Sequence, residues 1–504
     1  MNTKYEPSAF DDTWKDEFGA IYTFDKKKLI KGVNVPRYKI NDDTTIVCDH
    51  AFDSCDVLIE VELPDSLYEI GCSAFSQCSS LKTINLPKSL LEIGDYAFSC
   101  CVSLESIILP VYLKFIGKYA FDCCTKLQEV SILSYIDALE EGVFYNCESL
   151  NNLNLPYTIR QINAKVFCGC SSLTNISIPA SMTIIEDDTF SGMSSLKELT
   201  IPSSIKSIIG NPFKKLSYKS CCIKNESKAI VIEKGMAYSS NKKTLVACLC
   251  DDETINIENG VECIGKSAFS NNDTLHSVTL PSSVIYLEDS AFSNCKNLEI
   301  VNLGISTQII GEYAFFNCRS IKRINLPSTI VYIGANSFRE CANLECIELP
   351  QFMTSIEDGL FLGCEKLEKV KLPGLLIKIG KNSFSGCKRM EKILLPESLR
   401  IIDDYAFKSC WFLHQLELPP YLCFIGRSIF DAYSNIVFIS PEYKKDEYKK
   451  LMPNYEKCIF DSKEYEIKLQ KEEDDEGRGF ADYSDISLDD ERYWYKRIKT
   501  NEKN

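Results

Sequence analysis

Cysteine and histidine are the residues of this sequence that could support nucleophilic or metal chemistry. The chain has 504 residues, among them 25 cysteines and 3 histidines. A structural metal site needs thiolates or imidazoles that converge in pairs at short spacings. The candidate pairs are Cys168–Cys170, Cys221–Cys222 and Cys248–Cys250. None has a second pair at finger-like spacing, so we predict no metal site and no cofactor. We expect the most reactive thiols at 221–222 and 248–250.

The histidines do not indicate catalysis. His50, His276 and His414 lie far apart along the chain, whereas an active site needs its acid, base and nucleophile in one place. The sequence also contains no phosphate-binding loop, no G-x-G-x-x-G motif and no nucleophile elbow. We therefore predict that the protein is not an enzyme and has no catalytic residues.

Twelve of the 25 cysteines occupy one position of a long internal repeat. A phenylalanine recurs every 23 residues from Phe52 to Phe213 and again from Phe269 to Phe430, which gives sixteen phenylalanines in register. Three residues after the phenylalanine, twelve of these sixteen repeats have a cysteine. A fixed period of this length is the sequence signature of a solenoid. The sequence therefore predicts stacked structural units, each of which covers the apolar face of its neighbour.

One unit reads AFSQCSSLKTINLPKSLLEIGDY and can be interpreted residue by residue. Ile84 and Leu86 alternate with polar residues, which indicates a half-buried strand, and Pro87 ends that strand because it has no N–H to donate. Leu90 and Ile93 supply a second pair of inward side chains. A single unit has too few apolar residues to fold alone, so the repeated phenylalanine is expected to form a buried ladder.

The unit resembles the BspA-like, or treponemal-type, leucine-rich repeat through its L-x-x-I-x-L-P, I-G-x-x-A-F and cysteine signature. The resemblance covers about residues 20–460. It implies a β-rich solenoid, a curved leucine-rich repeat array of about sixteen 23-residue units with a parallel sheet on the concave face. It also implies binding or adhesion rather than catalysis, and members of this family are often exported surface proteins.

The repeated cysteines are expected to be free thiols. Parallel strands in register lie about 4.8 Å apart with their Cβ vectors side by side, whereas a disulfide needs a shorter Cβ–Cβ distance and converging vectors. A buried free cysteine behaves as a small hydrophobic residue. We therefore predict a ladder of packed thiols, which favours a reducing compartment.

Two segments outside the repeat predict β-hairpin modules. GAIYTFDKKKLIKG near the start and AIVIEKGMAYSSNKKTLVACL in the middle each place two apolar runs around a polar turn. Tyr22 and Leu29 match Tyr238 and Leu245 in spacing. We interpret the first module as a cap and the second as an internal brace or hinge, since an exposed solenoid end is an apolar edge.

These patterns divide the chain into six parts. The predicted parts are an N-terminal cap with a β-hairpin at 1–50, a first repeat array at 51–215, a hairpin insert with a partial repeat at 216–267, a second repeat array at 268–440, a C-terminal cap with a short helix at 441–463, and a charged, disordered tail at 464–504.

The side chains expected to bind a partner are those at positions 8 and 10 after each phenylalanine, because these should point out of the concave sheet. They are mostly small and polar through the middle of the array and become basic in its later repeats. We predict a protein partner, acidic in chemistry, at this stretch. The predicted partner-binding residues are Asn302, Arg323, Asn325, Lys369, Lys371 and Lys392.

The composition and the sequence patterns give expectations about ligands and cellular location. The net charge of −15 argues against nucleic-acid binding. No apolar run has the roughly 20 residues that a membrane-spanning helix needs, and the first residues do not read as a secretory signal. We therefore expect a cytoplasmic interaction scaffold. The alternative is a surface or secreted adhesin, exported by a non-classical route, that binds host or matrix proteins. The oligomeric state stays open.

Overall fold

The computed structural model describes residues 13–216, 220–431 and 436–476, with side chains through residue 470. It is a parallel β-solenoid of about 18 turns of ~23 residues. The predicted fold class, including its two hairpin modules, is confirmed. The turn count exceeds our sixteen units because the strands Arg37–Lys39 and Thr254–Asn256 belong to turns that lack the ladder phenylalanine.

Most turns carry two short strands, and these form two separate ladders. We call the strands that follow the phenylalanine by eight to ten residues the front ladder. They are Arg37–Lys39, Glu60–Glu62, Thr83–Ile84, Ser106–Leu109, Glu129–Ile132, Asn152–Asn154, Asn175–Ser177, Glu198–Ile201, Cys222–Asn225, Thr254–Asn256, Ser277–Thr279, Ile300–Asn302, Cys346–Glu348, Lys369–Lys371, Gln415–Glu417, Val437–Ser440 and Ile459–Asp461.

The two-residue strands later in each turn form the side ladder. They are Ile46–Val47, Glu69–Ile70, Glu92–Ile93, Phe115–Ile116, Ala138–Leu139, Gln161–Ile162, Ile184–Ile185, Ser207–Ile208, Cys263–Ile264, Tyr286–Leu287, Ile309–Ile310, Tyr332–Ile333, Ser355–Ile356, Lys378–Ile379, Ile401–Ile402 and Phe424–Ile425.

Both ladders pair in parallel with a register of one repeat. In the front ladder Val130 lies opposite Leu153, and in the side ladder Ile70 lies opposite Ile93. The front strands alternate as the sequence predicts, since Leu153 is buried while Asn152 and Asn154 are exposed. Every turn thus places the same apolar positions over those of the turn before it.

The repeated phenylalanines form the predicted buried ladder. From Phe52 to Phe213 and from Phe269 to Phe430, successive rings stack with their centroids 4.7–6.4 Å apart. The parallel register produces this stacking, because it places equivalent side chains of adjacent turns next to each other. Offset ring contacts of this kind add to the burial of apolar area.

The cysteine ladder has a role that the sequence analysis missed. All 25 cysteines are free, among them the repeated cysteines for which free thiols were predicted. In eleven repeats, however, the buried thiol also donates a hydrogen bond to the carbonyl oxygen of the phenylalanine 26 residues earlier, at 3.0–3.4 Å. That oxygen already accepts a backbone N–H in its own repeat, as Phe315 does from Cys318. Cysteine therefore links each turn to the one before it, beyond filling space.

Each hairpin module is a three-stranded antiparallel sheet. The first contains Thr13–Lys15, Ile21–Thr23 and Lys28–Lys31, and the second Ile230–Glu233, Met236–Ser239 and Thr244–Cys248. The matched spacing in the sequence reflects matched pairing, since Tyr22 lies opposite Leu29 and Tyr238 opposite Leu245. The last strand of each module continues in parallel into the side ladder.

The second module lies between two hydrophobic cores. Ala237 and Leu249 pack in the core of the first array, whereas Met236, Tyr238 and Leu245 pack in the core of the second. The two faces of one small sheet therefore cover the end of one array and the start of the next, which fits the interpretation as a brace.

Polar contacts bridge the same junction. Asp187 in the first array lies 3.5 Å from the Nζ of Lys214 and 3.1 Å from that of Lys266, in the partial repeat just before the second array. Asn211 donates from its Nδ2 to the carbonyl oxygen of Ser267 at 2.9 Å. Burial works against the charged form of Asp187, but the two lysines and a backbone N–H outweigh it and lower its pKa.

The C-terminal end contains the predicted short helix but differs from the prediction for the tail. A helix, α1 (Lys445–Leu451), follows the front ladder, and Tyr448 is buried with its hydroxyl donating to the carbonyl of Pro419. A second helix, α2, spans Ser462–Glu476, so the first part of the segment predicted as a disordered tail is helical. Its first turn is capped by Asp461, which accepts the backbone N–H of Glu464. Residues 477–504 of that predicted tail lie outside the described residues.

We expect the substitution Phe121→Ala to lower the free energy of unfolding by about 3–5 kcal/mol, because it removes a fully buried ring that stacks on Phe98 and Phe144. Tyr112→Ala, at an exposed position, should change it by less than about 0.5 kcal/mol. Urea unfolding followed by circular dichroism measures both. Equal losses for the two variants would contradict the ladder as the main source of stability.

Candidate functional site

The face formed by the outward side chains of the front ladder is the candidate site. All six predicted partner-binding residues are exposed there. Five of them lie in or beside pairs of the parallel ladder, such as Glu348 opposite Lys371, and Arg323 forms a bridge to Cys346. Lys392 lies in a turn without a regular front strand. The predicted residues therefore share one face over about four turns.

Three of the six residues line a common groove. Asn302, Arg323 and Asn325, from two successive turns, border an open groove of about 540 Å³. Six further residues line the groove, of which two are aliphatic and four are polar or charged. These six residues are Glu299, Ile300, Val301, Ser320, Lys322 and Glu345.

The groove and its surroundings are of mixed charge, not uniformly basic. Arg323 lies 3.8 Å from the carboxylate of Glu345, and Lys371 lies 2.5 Å from that of Glu348 in the preceding turn. All four side chains are largely exposed, so each pair is worth less than about 1 kcal/mol and can be exchanged for a partner's carboxylate.

Lys369 and Lys392 are the more available cations. Within the described part of the chain, no carboxylate lies within 4.0 Å of either ammonium group. Both side chains are exposed on the same face, one turn apart. Of the four cations among the predicted residues, these two lysines are therefore the ones without a salt bridge in the described part of the chain.

The sequence analysis overlooked apolar residues at the same offsets. Ile300 follows its ladder phenylalanine by eight residues and Leu394 by ten, and the side chains are 52% and 63% exposed. Ile300 also lines the groove. The sequence analysis would have found Ile300 and Leu394 if it had taken every residue at eight and ten positions after the phenylalanine, and not only the polar ones.

A second exposed surface lies at the turns after the front strands. Tyr112, Tyr135 and Tyr157 come from three successive repeats, and their side chains are 65–80% exposed. Leu133 is exposed beside them in sequence. Their approximate spacing of one repeat was visible in the sequence, but it falls outside the offsets that we had considered.

Of the three cysteine pairs considered for metal binding, one brings its thiols together. The Sγ atoms of Cys248 and Cys250 are 3.6 Å apart, half-buried beside the second hairpin module. A hydrogen bond from the Cys248 thiol lowers the pKa of Cys250, and the same contact together with burial raises the pKa of Cys248. In the pair Cys221–Cys222, the first residue is buried and the second is exposed. Among the described residues, no third potential metal ligand lies close to Cys221–Cys222 or to Cys248–Cys250.

The histidines occupy unrelated positions. His50 contacts Asp53 through Nδ1 at 3.1 Å, and His276 contacts the carbonyl oxygen of Thr274 at 2.8 Å. Partial burial lowers the pKa of His414. His50 thus has one carboxylate partner, and among the described residues no hydrogen bond joins any of the three histidines to a nucleophilic side chain.

Comparison with known families gives the class of protein. The family model described as the BspA type leucine rich repeat region (6 copies) matches residues 44–174, 160–246, 247–367 and 331–445. The chain therefore belongs to the BspA-type leucine-rich repeat family. Such repeats typically form a non-enzymatic scaffold.

Solved structures of similar solenoids come from several bacteria. A leucine-rich cell surface protein of Faecalibacterium prausnitzii is 25% identical, with a TM-score of 0.49, over 75% of this chain and 93% of that chain. A leucine-rich repeat protein of Eubacterium ventriosum is 20% identical, with a TM-score of 0.48, over 83% and 93%. The pneumococcal vaccine antigen PcpA is 16% identical, with a TM-score of 0.40, over 86% and 98%.

No curated protein matches this chain. In the part of the chain that the structure describes, no helix combines the length and the apolar composition that crossing a bilayer requires.

We expect Cys250 to react faster with iodoacetamide than the exposed Cys72, because the lowered pKa of Cys250 leaves more thiolate at neutral pH, whereas burial raises the pKa of Cys72. Labelling of Cys250 should therefore begin at a lower pH. Mass spectrometry of the native protein labelled between about pH 6 and pH 9 measures this.

Cys248→Ala should shift the labelling of Cys250 to higher pH, since it removes the hydrogen-bond donor. Cys423→Ala removes another exposed thiol in a distant turn and should leave it unchanged. If Cys250 labels no faster than Cys72, the contact between the two thiols does not activate it.

Proposed function

We propose that this protein is a non-catalytic interaction scaffold that binds another protein across the front ladder between residues 299 and 394. The observation that carries the proposal is the groove lined by Asn302, Arg323 and Asn325. It lies on a face whose side chains are not needed for the core, because the alternate residues of each strand supply the core.

The groove offers the ingredients of a recognition site. Asn302 and Asn325 present amide groups that can donate and accept hydrogen bonds, and Ile300 provides apolar area beside them. An aromatic anchor is missing from this lining, so affinity would come from many modest contacts spread along the ladder.

The charges favour an acidic partner. Lys369 and Lys392 have no carboxylate within salt-bridge distance among the described residues, and the pairs of Arg323 and Lys371 are exposed enough to open. A cluster of cations on a chain with a net charge of −15 would orient an acidic surface toward this stretch.

We expect the triple substitution of Lys369, Lys371 and Lys392 to Glu to weaken partner binding by about tenfold or more, because it replaces attraction by repulsion at the proposed contact. The matched control changes Lys114, Lys126 and Lys206 to Glu, which are exposed residues off the front face. The measurement uses a photo-reactive residue at position 325 to capture and identify the partner, followed by titration calorimetry with the purified partner.

Circular dichroism should show that both triple variants keep the wild-type fold. Equal affinity of wild type and the front-face variant would remove this stretch as the binding site. Capture from a photo-reactive residue at position 135, and not from position 325, would move the site to the exposed tyrosines.

We further propose that the protein works in the cytoplasm. The support is chemical: all 25 cysteines are free, and eleven buried thiols act as hydrogen-bond donors that oxidation would destroy. The alternative, an adhesin at the cell surface, is distinguished by protease treatment of intact and lysed cells. Loss of the full-length protein only after lysis supports a cytoplasmic location. Loss of the protein from intact cells would overturn that proposal.

A further inference from the structure

Two thiols outside the ladder lie one repeat apart and next to each other in space. Cys100 and Cys123 each precede a ladder cysteine, Cys101 and Cys124, and follow their phenylalanine by two residues. Both have a positive φ, of 58° and 56°, because the turn at this point is left-handed. Equal backbone conformations in stacked turns direct the two side chains the same way.

A carboxylate completes the group. One ligand atom each of Cys100, Asp122 and Cys123 lies within 4.8 Å of the other two, and all three side chains are half-buried. Among the described residues this is the one group of three or more potential metal ligands that comes so close together. The sequence signal was the adjacent cysteine pair repeated 23 residues apart, which our sequence analysis did not consider.

The carboxylate is incompletely satisfied. The Oδ1 atom of Asp122 is buried and has no hydrogen-bond partner, although a buried polar atom normally has one. Its other oxygen accepts a hydrogen bond from Ser99 at 3.3 Å. Within the described residues no lysine or arginine forms a salt bridge with Asp122. This oxygen is therefore available to coordinate a cation.

Neighbouring side chains orient the thiols. The Ser99 hydroxyl also contacts the Sγ of Cys100 at 3.7 Å, and Nδ2 of Asn146 donates to the Sγ of Cys123 at 3.8 Å. Such surrounding contacts hold metal ligands in place and are part of a working site.

We propose that Cys100, Cys123 and Asp122 bind a thiophilic divalent cation such as Zn²⁺, through two Sγ atoms and the unpartnered Oδ1. Sulfur ligands about 2.3 Å from zinc in tetrahedral geometry are about 3.8 Å apart. The three ligand atoms therefore need to approach by at most roughly 1 Å, which small side-chain rotations provide. Water fills the fourth position.

The charges balance on binding. Each thiol releases its proton to solvent as the metal–sulfur bond forms, so two protons leave, and two thiolates with one carboxylate neutralise the cation and leave one negative charge. No oxidant or reductant takes part, because Zn²⁺ does not change oxidation state.

Cobalt(II) is the probe, since its bonds to thiolates give a charge-transfer absorption that zinc lacks. The full-length, reduced, chelator-treated protein is titrated with Co²⁺ under anaerobic conditions. We expect one strong site whose thiolate–cobalt absorption disappears in Cys100→Ser and in Cys123→Ser. Asp122→Asn should weaken binding by about tenfold or more while retaining the absorption. Displacement by Zn²⁺ should abolish the signal.

Two controls separate this site from other thiols. Cys72→Ser removes an exposed thiol in another turn, and a double Cys248→Ser, Cys250→Ser variant removes the close pair beside the second module. Both should keep the absorption. Persistence in Cys100→Ser, loss in the double variant, or no thiolate–cobalt absorption in a protein whose Cys100 and Cys123 are shown by alkylation to be reduced would each overturn the proposal. A disulfide between them in the reduced preparation would do so as well.

Discussion

The rest of the structure depends on the stacking of each turn on the turn before it. Parallel pairing sets the separation at about 4.8 Å. Stacked phenylalanine rings reinforce it at most steps, and thiol hydrogen bonds such as that of Cys101 reinforce it in eleven repeats. Both contacts join residues about one repeat apart. A turn alone would leave its phenylalanine exposed and the second lone pair of its carbonyl unused, so stability belongs to neighbouring pairs of turns.

A structure built from neighbouring pairs has a problem at every end and interruption. The two hairpin modules solve it in the same way, with a small antiparallel sheet whose last strand joins the side ladder. The second module also packs residues such as Ala237 and Leu245 into different cores. At the far end, α1 fills this role by burying Tyr448. The array can therefore be long without exposing an apolar edge.

The same arrangement leaves one face of the front ladder free to vary. Alternate residues of each strand point to opposite faces, so Val301 can serve the core while Ile300 and Asn302 serve a partner. The proposed protein-binding groove uses this freedom across three adjacent turns. The proposed cation site uses the turns at another edge, where Cys100 and Cys123 occupy equivalent positions. Repetition thus creates sites by placing suitable side chains at the same offset in adjacent turns.

The sequence by itself determined the period, the strand alternation, the buried phenylalanine and the paired hairpins, because these depend only on a residue's offset within its repeat, as Phe121 and Tyr238 show. It also contained the helix-forming residues after Asp461, which we misread as a disordered tail. Only the tertiary structure decided that a ladder thiol donates to a carbonyl, that Lys371 pairs with Glu348, and that Cys100 meets Asp122. The physical reason is that hydrogen bonds and ion pairs are sensitive to the direction of each side chain and to differences in distance of a few tenths of an ångström. A spacing of 23 residues in the sequence does not specify either quantity.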